Sequence, residues 1–411
     1  MESIRTSFVS GPPARSIDQP GNKAFVLALA QALHGCGTPV HRLEAVIQAV
    51  CKALDIRVQC FATPTCLFIS SHRGTEMIRV APGSEDLERM VVVDRIAAQV
   101  ARGQRSAHEG HQALEALAQQ QGRFKPWATI VAFGVASAAV SVLFGRTASE
   151  ALISLALGLG VGLLAIKTSG RPSLARLFEG LAAAAAGVAA SLLATVVPLE
   201  PRAVTLTAVI ILVPGFTLTV ALAELATGHL AAGTARAAKA GMTFLQLGLG
   251  AAIGWRLLDV VEVLPPPAAV SRSSEVELAA LLVAAGAVAV LLKVRPADWL
   301  VALAAAVVAF YGARVGGALL GGPLGAFVGA LGVGLLANLQ ARVRDVPAAV
   351  AATPGILLLV PGSLGFRGVD AFLQQQTLVG VGAAFETFLV GASLVGGLLL
   401  AHAVLPPGRE T

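Results

Sequence analysis

Between Trp127 and Val404 the sequence is one long apolar run after another, separated only by short polar or Pro/Gly-containing stretches. A helix needs about 20 mostly apolar residues to cross the hydrocarbon core of a bilayer. Lipid offers nothing to satisfy a backbone amide or carbonyl, so such runs must bond within themselves and fold as helices. Candidate spans are Trp127–Phe144, Ala151–Ile166, Leu174–Val196, Val204–Leu222, Met242–Leu258, Val276–Leu292, Trp299–Tyr311, Gly317–Asn338, Pro347–Leu364 and Leu378–Val404. That makes about ten, and the second and seventh are short enough to imply ends that extend further or a tilted neighbour.

Charge separates this region from what precedes it. Only 13% of the 411 residues are charged, against about 25% in a soluble domain. They recur every few positions from Arg42 to Lys125, and beyond Ala128 sit almost only between apolar runs. Two solvents are implied. The expected layout is a disordered tail over 1–23, a small cytoplasmic α+β domain over 24–123, and about five membrane helices over 124–260. An external loop over 261–275, five more helices over 276–405 and a tail over 406–411 complete it. Within the α+β domain, Ala24–Leu33, Arg42–Leu54, Ser84–Arg102 and Ala107–Gln120 carry helical periodicity. Arg57–Phe61, Cys66–Ser70 and Glu76–Val80 read as short strands, with turns at Thr63-Pro64 and Arg73-Gly74.

Orientation follows from the basic residues. With the N-terminus inside, inner loops and tail hold Lys167, Arg171, Arg176, Arg236, Lys239, Lys293, Arg295, Arg342, Arg344 and Arg409. Outer loops hold Arg146, Arg202, Arg256, Arg272, Arg314 and Arg367. The excess lies inside, as the positive-inside rule requires. No cleavable signal peptide is evident, and all four cysteines (Cys36, Cys51, Cys60, Cys66) fall in the first part, which suits a reducing cytoplasm. The net charge of +6 is scattered, and with a single tyrosine there is no stacking platform, so nucleic acid is not an expected partner. A homo-oligomer is compatible with the sequence.

Ile211-Leu212-Val213-Pro214-Gly215 near the fourth span is echoed by Leu358-Leu359-Val360-Pro361-Gly362 near the ninth. Five spans separate the copies, and an odd number per repeat places them in opposite membrane orientations. The chain then reads as two inverted five-helix repeats, a design common in secondary transporters. Proline removes a helix hydrogen bond, and broken backbone at membrane depth survives where protein or a water-filled cavity satisfies it. Pro214, Gly215, Thr217 and Thr219 in one copy, and Pro361, Gly362 and Ser363 in the other, are therefore the candidate substrate-binding residues. Glu386 is the acid deepest in an apolar run and the first candidate for proton coupling, with Glu224 second. His34, Cys36, His41, Cys51, Cys60, Cys66, His72, His108 and His111 lack the paired spacing of a structural metal site. No phosphate loop, nucleophile elbow or His-Glu-x-x-His occurs, so no cofactor, no metal and no enzyme activity are expected.

Longer stretches carry a resemblance. Thr353-Pro354-Gly355, then Leu359-Val360-Pro361-Gly362-Ser363-Leu364-Gly365-Phe366-Arg367 and Gly396-Gly397, are similar to the C-terminal module of the threonine/serine exporter family. Gly37-Thr38-Pro39-Val40-His41-Arg42-Leu43-Glu44, Thr63-Pro64-Thr65, Glu224-Leu225-Ala226-Thr227-Gly228-His229-Leu230 and Gly233-Thr234-Ala235-Arg236 resemble the N-terminal module. The resemblance implies an exporter of threonine and serine in the bacterial cytoplasmic (inner) membrane, driven by the proton-motive force. Export of succinate-type dicarboxylates and a membrane-anchored sensor or scaffold are the alternatives. The few basic residues in the spans favour a zwitterionic substrate over a dianion.

Overall fold

The computed structural model describes residues 21–72, 74–81, 83–257 and 264–408. Most of the expected tail, Arg73 of the second turn, Leu258 at the end of the fifth expected span, the start of the expected external loop and Arg409 lie outside them. The chain divides into two compact units. The first draws on Met1–Ser84 and Val92–Gln120, the second on Glu85–Val91 and Gln121–Arg409.

The first unit is α+β. Its elements are α1 (Asn22–Gly35), α2 (Val40–Ala53), β1 (Gln59–Thr63), β2 (Cys66–Ser71), β3 (Gly74–Arg79), the part of α3 (Leu87–Ala101) from Val92 on, and α4 (Ala107–Gln119). The strands form one antiparallel sheet in the order β1-β2-β3. Each helix buries one stripe: Val26, Leu29, Ala30 and Leu33 on α1, and Leu43, Val46, Ile47 and Val50 on α2, the i, i+3, i+4, i+7 spacing of a single face. Strand alternation does the same, with Cys60, Ala62, Leu67 and Ile69 buried and Phe61 outward against Phe68. Glu44 accepts from the Ala62 amide at 2.8 Å, and Arg42 donates to Asp94 at 2.8 Å. A reciprocal Ser106/Glu109 capping box starts α4.

The second unit is helical. It runs α5 (Pro126–Leu143), α6 (Ala148–Ser169), the short α7 (Pro172–Ala175), α8 (Phe178–Leu193), α9 (Pro201–Ala208), a 3₁₀ turn (Ile210–Leu212), α10 (Gly215–Ala226) and α11 (Leu230–Arg256). Then come α12 (Ser274–Leu291), a 3₁₀ turn (Pro296–Asp298), α13 (Trp299–Leu320), α14 (Gly322–Arg344), α15 (Ala349–Leu359), α16 (Gly362–Leu373) and α17 (Thr377–Val404). Among the described residues seven helices are long and apolar enough to cross a membrane, with α15 and α16 counted as one. An eighth is added if α9 and α10, bent by 56° at their break, form a single span. The remaining two expected spans fall on α8, which has 16 residues, and on α11, which carries Arg236, Lys239 and Arg256.

Local chemistry sets the ends. A Thr147/Glu150 capping box starts α6 one turn before its apolar run. Gly321, at φ 93°, separates α13 from α14, so the short seventh expected span extends to Leu320 and the eighth begins at Gly322. A left-handed conformation of this kind is one that glycine adopts without steric cost.

The helices fall into two sets that pack alike. α8 packs on α11 and α14 on α17; α10 packs on α11 and α16 on α17; α9 lies on α8 and α15 on α14. The sets also interlock, with α10 against α17, α16 against α11, and α5 against α12. One offset, 362 − 215 = 147 residues, carries Gly215–Ala226 onto Gly362–Leu373 and Leu230 onto Thr377.

Residues 85–91 belong to this unit by their contacts. Asp86 is buried, caps α3 through the Arg89 amide at 3.0 Å, and accepts from Lys293 Nζ at 2.8 Å. The Leu87 amide donates to Leu292 O at 3.0 Å, and Val91 packs with Val346 and Val350.

Candidate substrate site at two helix breaks

Both breaks arise from the same local chemistry. The residue before a proline is driven out of the helical region, and the proline has no amide to continue the ladder. Val213 and Val360 are accordingly extended, at φ −66°, ψ 122° and φ −62°, ψ 136°. Pro214 and Pro361 follow at φ −81°, ψ 36° and φ −76°, ψ 35°. The two segments take one path through the break, and helix resumes at the glycine in each.

Tertiary packing brings the breaks together. A Cβ on Gly215 would collide with Val360 Cγ1 and come 3.1 Å from the Gly362 amide. One on Gly362 would come 2.7 Å from Val213 Cγ1. Each glycine thus sits on the valine and glycine of the other copy. The broken segments run antiparallel. Arg202, in the first turn of α9, pairs with Asp370 in the last turns of α16, and α10 packs on α15.

Four helix ends therefore converge. The first-turn amides of α10 and α16 and the last carbonyls of the 3₁₀ turn and of α15 lack intrahelical partners by their position. The former are the positive ends of their helices and the latter the negative ends. Such a junction suits a carboxylate on one side and an ammonium on the other.

Several expected residues gather there. Pro214, Gly215, Pro361 and Gly362 are buried, and Thr217 and Ser363 are half-buried, their hydroxyls without a hydrogen-bond partner among the described residues. Thr219 is buried, and its hydroxyl donates to the Gly215 carbonyl at 3.1 Å. Glu386 is half-buried on α17 and has no hydrogen-bond or ion-pair partner among the described residues. Its neighbour Thr387 donates to Ala383 O at 2.7 Å. Glu224 lies away from the break at the far end of α10. It is fully buried and accepts from Arg236 Nε at 3.0 Å. Glu85 feels Arg236 and Lys239 as well; burial pushes its carboxyl above the usual range, and its own backbone amide and the two cations only partly offset it.

A cluster that the sequence reading missed ties the other end of the broken segments. Arg202 Nη1 donates to both Asp370 carboxylate oxygens, at 3.1 and 3.3 Å. The guanidinium lies 5.1 Å from the Trp255 ring centroid. Trp255 Nε1 donates to Thr205 Oγ1 at 3.0 Å, and its ring meets Phe366 edge-on at 6.4 Å. In the sequence Arg202 reads only as a loop cation; an aromatic far along the chain gives no local sign that it will cover it. Among the described residues no group of three or more His, Cys, Asp or Glu side chains could hold a metal ion.

A bundle of apolar helices, two of them broken where they meet, defines a multi-pass membrane protein with transporter-like features. The chain belongs to the threonine/serine exporter family. Residues 24–258 match the family model described as "Putative threonine/serine exporter", and residues 277–404 match that described as "Threonine/Serine exporter, ThrE". A "Probable threonine/serine exporter" of Mycobacterium tuberculosis is 26% identical over 92% of this chain and 76% of its own length. An uncharacterized protein of Schizosaccharomyces pombe is 23% identical over 86% of this chain and 45% of its own. "Pheromone-regulated membrane protein 10" of Yarrowia lipolytica is 23% identical over 87% and 31%. The chain thus spans less than half of these two fungal relatives. No solved structure matches.

Proposed function

We propose that the chain exports threonine and serine across the bacterial cytoplasmic membrane, using ten spans arranged as two inverted five-helix halves that alternate access to a central site. Family membership supports amino-acid export. The observation that carries the mechanism is the reciprocal contact of the two Pro-Gly breaks. Antiparallel breaks with the same backbone path, flanked by helices related by one residue offset, are what an inverted repeat would produce.

In this reading the α10 and α16 amides hold the substrate carboxylate. Carbonyls freed before Pro214 and Pro361 hold the ammonium, and Thr217, Thr219 and Ser363 face the substrate hydroxyl. Glu386, ionisable within an apolar helix, exchanges the proton that drives antiport. Glu224, neutralised by Arg236, is the second proton candidate and anchors α10 to α11. The N-terminal α+β unit lies in the cytoplasm.

Counterflow of labelled threonine, serine and succinate in proteoliposomes tests the reading. Uptake of the two hydroxy amino acids into preloaded vesicles is expected, with little of the dicarboxylate. Succinate exchange without threonine exchange would reverse the substrate assignment.

A further inference from the structure

The Arg202–Asp370 pair joins elements that the alternating-access reading must separate. Arg202 stands on the segment that enters the first break and Asp370 on the segment that leaves the second, so the pair ties the two segments at one end of the paired breaks. The residue offset that relates the two halves takes Arg202 to Ala349 and Asp370 to Ala223. At the opposite end, where α10 packs on α15, the corresponding positions therefore carry no charge. Glu224, next to Ala223, is held by Arg236 on α11 of its own half, so the ion pair that joins the two halves lies at one end only.

We infer that Arg202 and Asp370 form a one-sided latch, with Trp255 as its cover, that holds closed the mouth formed by α9 and α16. This rests on the proposed alternating access. The side chains suit a latch that must release. Arg202 is 46% exposed and Asp370 18%, so water can take over both charges as the helices part. An exposed pair and a cation–π contact of this kind are each weak, and together they bias the closed mouth by roughly tenfold. Trp255 is itself fixed, through Thr205 on α9 and Phe366 on α16. It therefore contacts both moving segments as well as the guanidinium. A zwitterionic amino acid leaving the site brings a carboxylate for Arg202 and an ammonium for Asp370, and so competes for both halves of the latch.

The test uses the full chain in proteoliposomes carrying Ser363→Cys, with labelling by a maleimide read by mass spectrometry on the peptide containing position 363. Arg202→Ala should raise the labelling rate roughly tenfold, and Asp370→Ala, which leaves the guanidinium over Trp255, by a smaller factor of roughly three. The charge exchange R202D/D370R should bring it back towards that of Ser363→Cys alone. Unchanged labelling in both single variants, or no return in the exchanged pair, overturns the latch. Arg202→Cys with Asp370→Cys provides a second arm: oxidation should block threonine and serine exchange, and reduction should restore it. Full exchange by the cross-linked protein also overturns it. If the wild-type chain exchanges neither amino acid while labelling responds as expected, the export reading fails and the latch stands.

Discussion

Gly215→Ala is the sharpest perturbation of the paired breaks. A methyl group at this position collides with Val360 Cγ1 and comes within 3.1 Å of the Gly362 amide and 3.2 Å of its Cα. The valine can yield only by changing a stiff β-branched rotamer, and the backbone beyond it cannot yield without moving α16. Overpacking of this kind costs about 1–3 kcal/mol. If the breaks must meet for the site to form, most of that cost falls on transport, at about 1.4 kcal/mol for each factor of ten. Threonine counterflow is therefore expected to fall roughly 5- to 100-fold, with only a modest loss of thermal stability. Val360→Ala removes the colliding methyl groups, so G215A/V360A should regain much of the lost rate, whereas G215A/V213A should not. The mirror pair is Gly362→Ala, whose methyl would press on Val213 at 2.7 Å and should be relieved by Val213→Ala. Full transport by Gly215→Ala, or equal rescue by either valine change, would refute the face-to-face arrangement.

Glu386→Gln should abolish export driven by a pH gradient while leaving substrate counterflow measurable; a normal response to the gradient in vesicles would remove Glu386 from the proton path. Glu85 has its carboxyl raised by burial, so the folded state holds its proton more tightly than the unfolded chain. Its cost to stability is absent below the unfolded pKa and grows as pH rises through the raised folded value. Glu85→Gln should match the wild type in acid and exceed it in thermal stability at pH 8. Burial pushes the Cys51 thiol up to about 11, and burial with Glu44 and Cys51 nearby pushes Cys60 up to about 12. Since the thiolate is the reactive species, maleimide at pH 8 should reach both only after unfolding, as peptide mapping would show.

Much of the architecture is legible in the sequence because it is written locally. Apolar length marks the helices of the second unit. The 3.6-residue spacing of Leu43, Val46, Ile47 and Val50, and the alternation through Leu67 and Ile69, mark the first. Proline and glycine at 214–215 and 361–362 mark candidate breaks that resemble each other, but Pro354-Gly355 stays within α15, so the pair alone does not decide where a helix is interrupted. Capping is also local, but the Thr147/Glu150 box lies outside the apolar run and so extends α6 beyond what hydropathy alone gives.

The site itself was half legible. Pro214, Gly215, Thr217, Pro361, Gly362 and Ser363 are singled out by their own chemistry. Glu224 is too, yet its engagement by Arg236 depends on how α11 turns back along α10. Asp86 and Lys293 are 207 residues apart, and Arg202 and Asp370 are 168 apart. In sequence each reads as an ordinary charge beside an apolar run, because a charge carries no sign of which distant partner will neutralise it.

By itself, then, the sequence determined the apolar helices of the second unit and the places where two of them could break, since these depend on side chains within a few residues of one another. Only the tertiary structure decided that the two breaks lie on each other, glycine against valine, and that Arg202, Asp370 and Trp255 come together. Those contacts depend on the packing of helices far apart along the chain. Such packing is set by the shapes of whole faces, and no short stretch of residues contains it.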